Sequence, residues 1–274
     1  DTPGAVTVNA AGTEVRITKT SVTGNIVIQT AQTGNESDDA EADVVNLDIN
    51  LNSQGNLEVT ADTINLNSSQ TAVGNLNLTG NKILNFDITL QGDAVHLFDG
   101  DDAVVGSVNN SVGTTNLNGN TLTINVANTT AGGHQTGRII GAGSIVKEGA
   151  GVWDLNAYHD ITNFPNNNNA PNSEMRNNFT GGPVLVNAGT LTVTGGSLGQ
   201  ARAIRNTVDL VIANGATFQV DRNDTVADGT RVEIQTGGTY NSNVNDMIAN
   251  VTGGGTLNLN GGTLQLRNFT PGAT

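Results

Sequence analysis

The sequence contains no cysteine. A disulfide framework and a thiolate metal site are therefore excluded. Secretion is not excluded, because a long ladder of backbone hydrogen bonds can staple a chain in their place. Aromatic residues make up only 3%, with one Trp and two Tyr in 274 residues. A β-sandwich of this length fills the gap between its sheets with such side chains. This core must be narrow and lined by Val, Ile, Leu and Ala, which suits a solenoid whose coils bury one another. Positive charge is short as well: 11 Lys and Arg stand against 25 Asp and Glu, giving a net charge of −14. That balance excludes nucleic acid as a natural partner, since phosphates need Lys and Arg to displace their counterions. It also opposes adsorption to anionic membranes. No apolar run approaches the ~20 residues of a helical membrane span, so membrane insertion is not expected. The chain starts at Asp1 without Met or a signal peptide, and is expected to be a processed or excised one.

What the sequence does have is Asn, followed by Thr, Gly and Ser. Asn tolerates turns with positive φ, and stacked Asn side chains can form hydrogen-bond ladders. Alternation with period two runs through almost the whole chain, and helical periodicity is nearly absent. Val45-Asn46-Leu47-Asp48-Ile49-Asn50-Leu51, Asn75-Leu76-Asn77-Leu78 and Asn258-Leu259-Asn260 place apolar residues inward and Asn or Asp outward. A Gly-Thr-apolar element recurs as Gly189-Thr190-Leu191, Gly238-Thr239-Tyr240, Gly255-Thr256-Leu257 and Gly262-Thr263-Leu264, with Gly215-Ala216-Thr217-Phe218 one residue longer. Glycine supplies a corner, and the apolar residue after it begins the next inward run.

These signals predict an all-β chain, residues 1–274, folded as one right-handed single-stranded parallel β-helix, or β-solenoid. At roughly 20–25 residues per coil it would have ~11–13 coils, spaced by ~4.8 Å. Leu47, Ile49, Leu51, Leu76, Leu78, Leu257 and Leu259 should point inward, as should Trp153 and Leu155. Alternation fails between Tyr158 and Arg176, where Pro165, Pro171 and the run Asn166 to Asn169 lie. That stretch is expected to be a long corner loop, spanning 157–177.

The run Gly141-Ala142-Gly143-Ser144-Ile145-Val146-Lys147-Glu148-Gly149-Ala150-Gly151-Val152-Trp153-Asp154-Leu155-Asn156 resembles the first half of an autotransporter-associated β-strand repeat. Its second half is similar to Thr180-Gly181-Gly182-Pro183-Val184-Leu185-Val186-Asn187-Ala188-Gly189-Thr190-Leu191. The likeness spans 138–199, about a quarter of the chain, and departs from the repeat by the insertion between Asn156 and Asn178. It implies a bacterial surface or secreted protein built on a right-handed β-helix. It implies no single activity, because autotransporter passengers include adhesins, proteases, esterases and passive stalks.

A catalytic reading finds little to rest on. The alternative, a polysaccharide lyase or hydrolase on a β-helix, needs clustered carboxylates beside a basic residue. Arg202 and Arg205 are the closest basic pair, and no carboxylate cluster adjoins them in sequence. The histidines are His96, His134 and His159, and no Gly-x-Ser-x-Gly elbow accompanies them. Three acidic groups could hold calcium: Glu36 with Asp38, Asp39, Glu41 and Asp43; Asp99 with Asp101 and Asp102; and Asp221 with Asn223, Asp224 and Asp228. None fits an EF-hand or a Gly-Gly-x-Gly-x-Asp repeat, so solvated acidic loops are expected and calcium is the one candidate cofactor. No catalytic residues are assigned.

The ends of a solenoid expose unpaired strand edges. Assembly residues are therefore expected at Ala5, Val6 and Val8, and at Leu257, Leu259, Leu264 and Leu266. The expected partners are copies of the chain or adjoining coils, with surface glycans as candidate ligands. The function expected is that of a secreted or cell-surface structural or adhesive rod, or a fibre subunit that assembles head to tail.

Overall fold

The computed structural model describes residues 6–8, 15–17, 21–29, 44–98, 114–129, 133–135, 138–156, 177–194, 203, 204, 206, 208–223 and 225–267. Among these there are 26 strands and no helix. All strand pairs but one are parallel.

The strands fall into three ladders. The first passes through Ser21–Val22, Asn52–Ser53, Gln70–Ala72, Ile88–Gly92, Thr121–Val126, Arg138–Glu148, Asn178–Val186, Asp209–Ile212, Arg231–Ile234 and Asn250–Gly253. The second joins Ile26–Gln29, Leu57–Leu66, Leu76–Leu84 and Val95–Phe98. A bridge between Leu97 and Gln135 carries it on beside Gly133–His134. It then continues through Val152–Asn156, Thr190–Thr194, Thr217–Val220, Thr239–Ser242 and Thr256–Leu259. The third is shorter and interrupted. It takes Val44–Leu47, the second halves of Leu57–Leu66 and Leu76–Leu84, then Thr114–Asn116 and the first half of Arg138–Glu148. Later come a bridge from Ile204 to Val226 and the pair Asp246–Ile248 with Leu264–Leu266.

The ladders close because the chain returns to itself at short, regular intervals. Stacked partners lie 19 residues apart at Asn56 and Asn75, 22 at Asp209 and Arg231, and 17 at Asn241 and Asn258. Longer returns of 31, 34 and 39 residues occur at Asn25 and Asn56, Asp87 and Thr121, and Glu148 and Asn187. Among the described residues the first ladder has ten strands, where the sequence predicted eleven to thirteen coils. The expected corner loop, 157–177, falls within the 39-residue return; residues 157–176 lie outside the described residues, and Asn177 is buried.

The antiparallel exception is at the start. Val6–Val8 pairs with Val15–Ile17, matching Val6 with Ile17 and Val8 with Val15. The sequence reading placed Ala5, Val6 and Val8 in a parallel terminal coil, and for Val6 and Val8 that pairing is corrected. Only residues 9–14 separate the two strands, too few for the crossover that parallel pairing needs. Ala5 lies outside the described residues.

Registration builds the core. In the second ladder Leu57, Leu76 and Val95 stack in one column, followed by Gly133, Trp153, Leu191, Phe218, Tyr240 and Leu257. All are buried except the last. Four of the five Gly-Thr-apolar elements thus land one above another, with Thr190, Thr217, Thr239 and Thr256 aligned beside them, while Gly262-Thr263-Leu264 leads instead into the strand paired with Asp246–Ile248. Leu47, Leu51, Leu76, Leu78, Trp153 and Leu155 are buried as expected, and Ile49 packs half-buried against the core. Leu257 and Leu259 keep the expected inward register, and they are 40% and 42% exposed because no further strand covers them among the described residues.

Trp153 is accommodated by the glycine beside it. A Cβ on Gly133 would lie 1.7 Å from the Val95 carbonyl oxygen, so the two backbones touch. The Trp153 indole N–H reaches past Gly133 and donates to that same carbonyl at 3.2 Å. Outside the core, polar side chains stack. Asn56 N–H donates to Asn25 Oδ1, and Asn75 N–H to Asn56 Oδ1. Asn85 donates to Asn67, which donates to Asp48.

Two lysines break the apolar rule. Lys147 stands in a core column between Ile124 and Val186 and is fully buried. Its ammonium donates to the carbonyls of Glu148, Gly149 at 2.9 Å and Ala188 at 3.3 Å, where the chain turns. Burial pushes its pKa down to about 8 against the opposing pull of Glu148. Lys82 stands between Ile64 and Thr115 and donates to the carbonyls of Leu78 and Phe98.

Two outcomes follow from this packing. Trp153→Ala should lower unfolding stability by about 3–5 kcal/mol through the cavity it leaves, while Trp153→Phe should cost about 1–3 kcal/mol through the orphaned carbonyl. Urea unfolding at neutral pH measures both; a Trp153→Phe variant as stable as the wild type would refute the role given to the indole N–H. Lys147 should also couple stability to pH. Between about pH 8 and 10.5 the folded chain has released a proton that the unfolded chain still holds. Stability should therefore rise with pH across that window, relative to Lys147→Met. Parallel pH profiles for the two proteins would show that the buried amine does not titrate there.

Candidate functional site

Two places stand out from the regular ladders: the final strand edge and a histidine pair on an outer surface. At the edge, Asn250–Gly253, Thr256–Leu259 and Leu264–Leu266 each pair on one side only among the described residues. Hydrogen-bond alternation fixes which groups face out. Thr256 N–H donates to Gly238 O and Asn260 N–H to Ser242 O, both toward the preceding strand. The intervening Leu257 and Leu259 consequently direct their N–H and C=O groups to the free side, where the Leu259 carbonyl accepts from Gly261 N–H at 2.9 Å. The same holds for Leu264 and Leu266, because Asp246 N–H donates to Thr263 O and Arg267 N–H to Ile248 O. Leu266 is 36% exposed and Leu264 half-buried. The four leucines predicted for assembly thus lie on two strand edges, Thr256–Leu259 and Leu264–Leu266, that join outward backbone groups to partly wet apolar side chains.

The second place comes from the outward row of the second ladder. Asn77 pairs with His96, the Leu97–Gln135 bridge sets His96 beside His134, and His134 pairs with Asp154. His96 Nδ1 lies 3.2 Å from His134 Nδ1, so one ring donates to the other. Phe98 stacks on His96 with centroids 5.3 Å apart and 3° between planes, and meets His134 edge-on at 5.4 Å. Burial, with the neighbouring His134 second, pushes the His96 pKa down to about 4. His96 is therefore neutral at neutral pH. The sequence reading took His96 as an ordinary strand residue; its partner is 38 residues away, and only the register brings them together.

The calcium candidates fare unevenly. Asp99, Asp101 and Asp102 lie outside the described residues, as do the group from Glu36 to Asp43, Asp224, Arg202, Arg205 and His159. Of the third group, Asp221 accepts from Gln219 at 2.8 Å and Asn243 at 3.1 Å. Asn223 Oδ1 accepts from Asn245 N–H, and Asp228 sits 3.7 Å from Arg267. Strand-to-strand stacking engages these groups. Among the described residues no group of three or more His, Asp or Glu side chains converges as a metal site. Arg231 is tied to Asp209 by two short contacts, 2.6 and 2.8 Å, on the surface.

No family model, curated protein or solved structure matches the chain.

If the acidic groups are solvated loops, as the sequence leads one to expect, calcium should alter stability little. A site occupied at a hundredfold excess over Kd would add about 2.7 kcal/mol. The unfolding midpoint with excess calcium should match that with chelator; collapse on chelation would identify a structural site in one of the acidic groups.

Proposed function

We propose that the three ladders are the sides of one right-handed single-stranded parallel β-helix. We further propose that the protein is a non-enzymatic structural or adhesive rod, secreted or held at a bacterial surface, whose copies join end to end. The likeness of 138–199 to the autotransporter-associated repeat supports the fold and the location. Ten stacked strands at ~4.8 Å give a rod about 43 Å long.

The observation that carries the assembly reading is the edge at Leu257, Leu259, Leu264 and Leu266. A strand edge with free N–H and C=O groups is a template for another strand. The occupant proposed is a second copy of the chain, presenting Ser21–Val22, Ile26–Gln29 and Val44–Leu47. Among the described residues these strands also pair on one side only, and they open the same three ladders. Docking them would continue each ladder in parallel. A contact of this head-to-tail kind does not close on itself and gives fibres.

Leu264→Pro tests it, because proline removes an outward N–H without touching the inward bonds. The wild-type protein should form elongated particles by electron microscopy and grow with concentration in sizing experiments. The variant should associate at least tenfold more weakly with unchanged β-sheet circular dichroism. A wild-type monomer at high concentration would overturn the fibre reading and leave a single rod.

A further inference from the structure

We propose that His96 and His134 form a two-imidazole chelate for a divalent transition-metal ion, with water completing the coordination. The argument is geometric. Imidazole nitrogens bind such ions at about 2.0–2.1 Å. Two of them on one ion, at angles between square and tetrahedral, lie about 2.9–3.4 Å apart. The two Nδ1 atoms lie 3.2 Å apart. The ion would sit to one side of the line between them, with both rings turned toward it, once the shared proton has left that line. The ring that now donates from Nδ1 would carry its proton on Nε2 instead, so binding requires a change of tautomer and no net loss of a proton.

The pair is held in place before any ion arrives. Both histidines lie on strands fixed by parallel pairing, Val95–Phe98 on Leu76–Leu84 and Gly133–His134 on Val152–Asn156. The Leu97–Gln135 bridge locks the two strands to each other. Phe98 packs flat on one ring and edge-on to the other. The rings are half-buried, so one side faces solvent and an ion can enter. An outer row filled mainly by Asn, Thr and Gln elsewhere, as at Thr192, Gln219, Asn241 and Asn258, carries two imidazoles at adjacent positions here.

The donor set selects the ion. Neutral imidazole suits copper(II), nickel and zinc, and does not suit calcium or magnesium, which require oxygen ligands. The Irving–Williams order places copper(II) tightest.

Calorimetric titration of the full chain with copper(II), zinc and calcium chlorides tests the proposal. One copper(II) or zinc ion per chain should bind, copper more tightly, and calcium should not compete. His96→Asn and His134→Asn should each weaken binding at least tenfold, with circular dichroism unchanged. His159→Asn should leave it intact. Binding that survives both His96→Asn and His134→Asn, or that is lost with His159→Asn, would overturn the assignment. So would a wild-type affinity no tighter than that of the His96→Asn, His134→Asn double variant.

Discussion

In-register parallel hydrogen bonding is the constraint from which the rest of this structure follows. When each strand lies on its predecessor without slip, every side chain stands over a counterpart, and its environment is set one strand at a time. Columns then become units of packing. Phe218 and Tyr240 fit because Leu191 and Leu257 flank them, and Trp153 fits because Gly133 lies beside it with its backbone against Val95. A slip of one residue would expose each of these columns and bury the Asn rows. The same rule leaves the returns free to vary. A stretch that leaves a corner and comes back to the same register changes no column, which is why returns of 17 and 39 residues coexist in one ladder system.

Much of this is legible in the sequence, because columns repeat residue types. The Gly-Thr-apolar elements predict a stacked corner and inward run, and Thr190, Thr217, Thr239 and Thr256 do align. The Asn-outward pattern predicts side-chain stacks, and Asn46 with Asn65 and Asn67 with Asn85 form them. Strands of two or three residues, such as Asn52–Ser53 and Gln70–Ala72, are not legible, since alternation needs four or more residues to register. Buried polar residues are also invisible to a reading that sorts inside from outside by residue type. Lys82, Gln135, Lys147 and Asn177 all lie in the interior. The histidine pair escapes for another reason: nothing in a linear sequence states the return length between positions 96 and 134.

The buried polar groups answer a problem that the ladders create. Along a straight run each backbone group finds a partner on the next strand, but at a corner the carbonyls diverge and the ladder cannot satisfy them. Lys147 collects three such carbonyls with one ammonium. Asn177 does the same with an amide, accepting from Ile139 N–H and Gln135 and donating to Ala203 O. These side chains cost desolvation, visible in the lowered Lys147 pKa. Removing one would strand buried carbonyls, at about 1–3 kcal/mol each. Interior polarity is therefore part of how the corners hold.

The terminal edge is where the constraint stops being satisfied. An interior strand is bonded on two sides and covered by two neighbours; among the described residues the strand at 256–259 has one of each. Its leucines occupy a core register without core burial, and their backbone groups alternate between paired and free. Stability in a stacked array is a sum of neighbour terms, so the last strand lacks one whole term. Supplying it would add backbone bonds and bury apolar surface at ~25 cal/mol per Å², less the cost of association. The net charge of −14 does little to prevent this, because charged residues are only 13% of the chain and the edge leucines are flanked by Thr, Asn and Gln, with Arg267 the one charged neighbour. Solenoids that remain single need a cap whose outer side is polar. Among the described residues Leu257, Leu259 and Leu266 give this edge an apolar side, and a matching layer of strands is the partner proposed to cover it.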